Sequence, residues 1–198
     1  MESNEQCVSK YIVISNDCTS GQYYKLNKCE FNNPFVWNIW WYIDDYVKFI
    51  KNFNNINFNN YETLLTNDNE YFSDYKLKFN PLTYYVNVDN KYKIAYPHYI
   101  SKKDYVDTKY KVRLDRFNKY KNVCETIFML NEKSWTSIED ELKFINVITP
   151  YKKFLYTSHK ELLKYKNDNM IIIYKENIDY PNSFKTFANI LTKTLDRQ

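Results

Sequence analysis

One residue type limits this chain more than any other: Gly21 is the only glycine in 198 residues. A phosphate-binding P-loop needs two glycines and a dinucleotide fingerprint needs three, because backbone must approach phosphate with no Cβ in the way. Neither motif fits here, and the G-x-S-x-G nucleophile elbow falls on the same ground. Histidine is the next limit. Any histidine base or ligand must be His98 or His159.

The net charge of +4, from 28 basic and 24 acidic residues, is too weak to argue for a nucleic-acid partner. Lysine outnumbers arginine 25 to 3 and asparagine occurs 26 times. We read this Asn, Lys, Ile and Tyr excess as the codon bias of an AT-rich genome. The cysteines, Cys7, Cys18, Cys29 and Cys124, contain no C-x-x-C pair, so zinc-type spacing is absent. Residues 1–10 are polar and do not read as a signal peptide. No apolar run approaches the roughly 20 residues of a membrane span. The expectation is a soluble, cytoplasmic protein with reduced thiols. It is a single α/β domain over residues 1–198, with residues 1–10 as a flexible tail. Nothing in the sequence specifies an oligomeric state.

Apolar periodicity divides the chain into alternating strands and helices. Tyr11–Ser15 reads as a compact strand and Val36–Ile39 as a second. A helix is expected over Trp41–Phe53, with Ile43, Val47 and Ile50 on one face. Asn52–Asn60 and Thr66–Asp74 read as loops. Leu82–Val88 and Lys91–Tyr96 form a hairpin, and Ser101–Lys121 a long helix. Cys124–Leu130 is the next strand. A helix capped by Thr136 or Ser137 runs to Val147. Lys153–Tyr156 and Met170–Tyr174 are strands, the latter apolar enough to be buried on both faces. Asn182 caps a last helix to Leu195. This alternation predicts a three-layer α/β fold: a mostly parallel sheet with helices on both faces, Rossmann-like but without the glycine-rich loop. Ligands of such sheets bind beyond the carboxyl ends of the strands. The loops after Ser15, Ile39, Tyr96, Leu130 and Tyr156 are therefore the ones to inspect.

Chemistry-bearing residues gather near those loops. Cys18 follows the first strand and opens a helix, where backbone N–H groups and the helix dipole lower a thiol pKa. Asn16, Asp17 and Thr19 beside it are candidate substrate contacts, and equally ordinary caps. His98 lies just past the hairpin, at the same expected rim, and a thiolate–imidazolium pair is the basis of cysteine nucleophilic catalysis. Asn131 follows the strand Cys124–Leu130 and could orient His98. His159 is a second rim candidate that reads more simply as a residue at a helix start. Arg113 and Arg116 lie three apart on the long helix. In a lysine-biased chain, retained arginine points to planar, bidentate recognition of phosphate or carboxylate, or to an internal ion pair. No D-x-D motif is present. Asp44-Asp45, Asp104/Asp107 and Glu139-Asp140-Glu141 each read as helix surface, and no metal ligand set is selected. Trp37, Trp40, Trp41 and Tyr42 suit either sugar stacking or core packing.

At these residues the chain resembles the bacterial domain-of-unknown-function family nineteen-nineteen, whose members are often labelled exopolysaccharide biosynthesis proteins. That family opens with a strand, then Ser-Asn-Asn-Cys-x-Gly-Gly, then Asn-Ser-Pro. Here the run is Ser15-Asn16-Asp17-Cys18-Thr19-Ser20-Gly21, then Asn32-Asn33-Pro34. An aromatic helix follows, here Asp45-Tyr46-Val47-Lys48-Phe49-Ile50. A hairpin ending in a His-Tyr pair is matched by Asn80-Pro81-Leu82 through His98-Tyr99. A Trp-x-x-Arg-x-x-Arg-like helix is matched by Tyr110, Arg113 and Arg116. The resemblance spans Tyr11 to His159. The second glycine and the tryptophan are missing, and Asn131-Glu132-Lys133-Ser134-Trp135 stands where the family often has Asp-Arg-Asp-Gly-Cys. The resemblance implies a three-layer α/β fold and work on surface glycans.

Three functional readings result. The first is an enzyme of glycan or exopolysaccharide biosynthesis, a glycosyl- or acyltransferase acting on a sugar hydroxyl. Cys18, His98, Arg113 and Arg116 would line its cleft. A nucleotide-activated sugar or acyl donor is then a substrate, with no resident cofactor. The second is a Cys-His hydrolase or acyl-enzyme transferase with Cys18 as nucleophile, His98 as base and Asn131 as orienting group. The third is a non-catalytic glycan- or protein-binding module using the Trp37–Tyr42 region.

Overall fold

The computed structural model describes residues 9–40, 42–66, 83–96, 103–133 and 136–196. Within them the protein is α/β: a four-stranded parallel sheet flanked by helices, plus a small antiparallel sheet. The parallel sheet holds β1 (Tyr11–Ser15), β5 (Glu125–Asn131), β6 (Lys152–Thr157) and β7 (Met170–Tyr174), in the order β1-β5-β6-β7. The antiparallel sheet holds β2 (Tyr61–Thr66), β3 (Thr83–Val88) and β4 (Tyr92–Tyr96), in that order. The helices are α1 (Thr19–Leu26), α2 (Ile43–Asn52), α3 (Lys103–Tyr120), α4 (Ile138–Asn146) and α5 (Ser183–Leu195).

Strand alternation divides the core in two. Tyr11, Val13, Ile127, Met129, Phe154 and Tyr156 join Tyr23 and Tyr24 of α1 and Phe187, Leu191 and Leu195 of α5. Ile12, Ile14, Phe128, Leu130 and Leu155 join Tyr46 and Phe49 of α2 and Phe144 of α4. The second cluster continues into Val86, Ile94 and Tyr96 of the antiparallel sheet and Tyr110, Leu114 and Phe117 of α3. Burial on both faces explains why β1 and β5 read as nearly continuous apolar runs. Tyr46 pins α2 to the sheet, its hydroxyl lying 2.9 Å from both Ile14 O and Met129 O.

Several expectations change. The predicted strand Val36–Ile39 is not a strand. Trp37 has φ 60°, which a β-strand does not tolerate, and Ile39 makes only an isolated bridge to Ala95. Strand β2 is unexpected; it lies between the asparagine-rich stretch Asn52–Asn60 and the polar stretch Thr66–Asp74, which the sequence marks as loops. The hairpin forms as predicted, with Asp89 and Asn90 both at φ 54° in its turn. It pairs with β2 instead of joining the parallel sheet, so Ile39 and Tyr96 do not end strands of that sheet. Strand β7 is an edge strand with Ile171 and Ile173 only half-buried. Ser9, placed in the tail by sequence, is buried and bonds both Tyr23 Oη and Tyr11 N.

Candidate functional site at the carboxyl ends of the parallel strands

At the carboxyl ends of β1 and β5 the two strands stay linked by a side chain. Asn16 Nδ2 donates to Asn131 O at 3.1 Å, and Asn131 N donates to Asn16 Oδ1 at 2.9 Å. Asp17 then accepts from Thr19 N at 2.9 Å and from Asn131 Nδ2 at 2.8 Å, and pairs with Lys133. Asn131 Nδ2 also reaches Ser183 Oγ, 3.1 Å away at the start of α5. Burial pushes the Asp17 carboxyl up, but the Lys133 charge and the hydrogen bonds from Lys133 and Thr19 outweigh it and hold it low. Asn16, Asp17, Thr19 and Asn131 are thus brought together, as a closed and buried network.

Cys18 is the residue before α1, so it does sit at a helix start. Its thiol nevertheless moves opposite to the expected direction. Burial first, and the Asp17 charge second, push it up to about 12, against a smaller opposing pull from Lys133. Asn131 spends its amide on Asp17, Thr19 and Ser183. His98, its expected partner, lies outside the described residues. Arg113 and Arg116 sit on the segment before Ile39. Arg113 donates to Val36 O at 3.3 Å and lies 5.0 Å from the Phe31 ring centroid. Arg116 donates to Phe31 O at 3.4 Å and pairs with Glu30 at 3.3 Å. Of the aromatic group, Trp40 is core, tilted against Tyr46 and Phe49. Trp37 is half-buried, Tyr42 is exposed, and Trp41 lies outside the described residues.

A second cluster adjoins this network, and sequence reasoning missed most of it. Glu132 leaves the end of β5, His159 lies two residues beyond β6, and Glu141 rises from the first turn of α4. His159 Nδ1 is 2.9 Å from Glu141 Oε2 and 4.0 Å from Glu132 Oε2. Thr157 Oγ1 donates to Glu141 Oε2 at 2.8 Å. Glu132 accepts from Ser158 Oγ at 2.8 Å, from Tyr180 Oη at 2.6 Å and from Ser158 N. Glu141 was expected on a helix surface and is instead fully buried. The Ser137–Asp140 capping box sets where α4 begins and so which side turns inward. The available signal was Glu141 standing three residues from both Ile138 and Phe144, on the apolar stripe.

Burial drives the Glu141 carboxyl up to about 7, with Glu132 adding to the rise and the His159 and Thr157 hydrogen bonds opposing it. Burial would lower His159, but the hydrogen bond and charge of Glu141 outweigh it and raise the imidazole. The pair therefore retains a proton near neutrality. Glu132, Glu141 and His159 each offer one ligand atom, all within 4.8 Å of one another, and are the group that could hold a metal ion among the described residues.

The sequence model of one family, described as Domain of unknown function (DUF1919), matches residues 3–196. The chain belongs to that family. In this DUF1919 protein the match takes in both clusters, α5 and the hairpin. No curated protein matches the chain. No helix among the described residues is long and apolar enough to cross a membrane.

Proposed function

We propose that this DUF1919 protein is an enzyme of glycan or exopolysaccharide biosynthesis, a glycosyl- or acyltransferase that activates a sugar hydroxyl at the carboxyl ends of β5 and β6. The observation that carries the reading is the 2.9 Å contact between His159 Nδ1 and the buried Glu141 carboxylate. A carboxylate at Nδ1 fixes the ring and leaves Nε2 to take a proton from an acceptor hydroxyl. The site lies where ligands of parallel α/β sheets bind. His159 is 30% exposed, so it is open to solvent on one side. The glycan substrate class rests on the sequence resemblance. An activated sugar or acyl donor enters as substrate, and the base passes from His98 in the sequence reading to His159. A Cys18 nucleophile draws no support from a thiol pushed up to about 12. The three-layer, Rossmann-like description of the fold belongs to the same proposal and is supported by the two separate cores on the sheet faces.

The test is transfer and hydrolysis measured with a panel of nucleotide sugars and acyl donors against sugar acceptors. Turnover that falls about 10²–10⁴-fold in His159→Ala is expected. Sugar binding without turnover from any donor, unchanged by His159→Ala, would point to the binding-module reading instead.

A further inference from the structure

Two buried acids that share one imidazole form an unusual charge arrangement. Glu132 is 2% exposed and Glu141 is fully buried. Their donors are Ser158, Thr157 and Tyr180, all neutral, together with His159. Lys133, the nearest lysine in sequence, is committed to Asp17. One carboxylate oxygen, Glu141 Oε1, is buried with no hydrogen-bond partner among the described residues. Buried carboxylate oxygens are ordinarily satisfied or neutralised. This one belongs to the same carboxylate that already holds His159 and Thr157.

We propose that Glu132, Glu141 and His159 bind one first-row divalent cation, with Zn²⁺ the preferred occupant. The inference rests on the reading above for its location; with a cation on Nδ1 the imidazole keeps its proton on Nε2, so the bound ion takes over from Nε2 the activation of the hydroxyl. Imidazole plus two carboxylates is a donor set suited to zinc, and also to iron or manganese, more than to calcium or magnesium. At metal–ligand distances of about 2.0–2.2 Å, neighbouring ligand atoms stand about 3.3 Å apart. The observed separations of 2.9 and 4.0 Å from His159 Nδ1 bracket that value. The cation takes the place of the proton between His159 and Glu141. The neighbouring hydrogen bonds from Ser158 and Tyr180 to Glu132, and from Thr157 to Glu141, are of the kind that orient metal ligands. The partly exposed edge of His159 is the entry path. Such an ion would polarise a bound hydroxyl and so ease its loss of a proton.

The experiment is calorimetric titration of the chelator-treated full chain with Zn²⁺, repeated with Mn²⁺ and Mg²⁺. Saturable one-to-one Zn²⁺ binding, tighter than that of Mg²⁺, is expected. His159→Gln and Glu141→Gln should each weaken it by at least tenfold, while Cys124→Ala leaves it intact. Should Glu141→Gln fail to fold, His159→Gln on the partly exposed ring decides alone. Co²⁺ loaded in place of Zn²⁺ should show visible ligand-field bands without thiolate charge-transfer absorption. No saturable binding, binding undiminished in His159→Gln, or thiolate bands would overturn the proposal. Transfer that depends on His159 but persists in chelator would overturn it while leaving the proposed function standing.

Discussion

The ammonium of Lys133 and the carboxylate of Asp17 form an ion pair with side chains only 11% and 6% exposed, joining the loop after β5 to the loop after β1. Removing one partner of such a pair leaves a buried charge uncompensated, at about 3–5 kcal/mol. Asp17→Asn and Lys133→Met should each destabilise on that scale, and the double variant should cost clearly less than their sum. Urea denaturation of the four proteins measures the coupling. Additive losses would mean that the pair is not a unit.

The same carboxyl predicts an acid response. Its pKa is held below the usual 3.8 in the folded state. The stabilisation is therefore complete above the unfolded value and is lost as pH falls through the folded one. Stability measured downward from pH 5 should decline more steeply in the parent than in Asp17→Asn. Parallel curves would contradict the assignment.

Gly21 is where the single glycine is needed, and the reason is a close approach instead of a turn. A Cβ there would meet three ring carbons of Trp37, two of them at 2.5 Å. Gly21→Ala should cost about 1–3 kcal/mol by overpacking. Trp37→Asn removes the ring and suits the left-handed backbone, so it should make Gly21→Ala nearly neutral. Thermal unfolding of the pair gives the answer, and an unrelieved loss would exclude the ring as the cause.

Cys18 should alkylate slowly. With its thiol raised to about 12, almost none is thiolate at pH 8. Timed iodoacetamide labelling followed by peptide mass analysis is expected to show Cys18 no faster than Cys124. Selective, rapid labelling of Cys18 would restore it as a nucleophile.

Arg113 and Arg116 should separate by burial. Arg113, only 5% exposed and bonded to Val36 O, should cost about 2–3 kcal/mol on truncation to alanine. Arg116, whose ion pair with Glu30 is partly exposed, should cost under about 1 kcal/mol. Chemical denaturation ranks them. Equal losses would mean that burial does not set the difference.

The sequence carried the parallel strands well because each is a short apolar run bounded by polar residues, and β7 is read to the residue. Strand β2 is hard to read because Tyr61–Thr66 alternates weakly between an asparagine-rich stretch and a polar one. Val36–Ile39 reads as a strand because its residues favour one, yet Trp37 turns into the left-handed region and its ring lies against Gly21, which no local pattern encodes. Asn16, Asp17 and Asn131 are legible as rim residues because each lies at or within two residues of a strand's carboxyl end. Glu132 and His159 meet only because β5 and β6 are neighbours in the sheet, and Glu141 joins them only because of how a cap rotates α4. Those are facts of three-dimensional adjacency, and spacing along the chain does not contain them.

The pairing of β1 with β5 has a consequence for how this molecule comes into being. Tyr11–Ser15 is made before its partner Glu125–Met129, with the whole antiparallel sheet and the long helix synthesised between them. Until then the five-residue strand can pack on α1 and α2 but has no partner for the backbone edge that β5 will fill, while the local hairpin can already close. Nascent molecules should be most vulnerable to sticking together in that interval, and a chaperone serving this protein would find its natural target in the unpaired edge of β1.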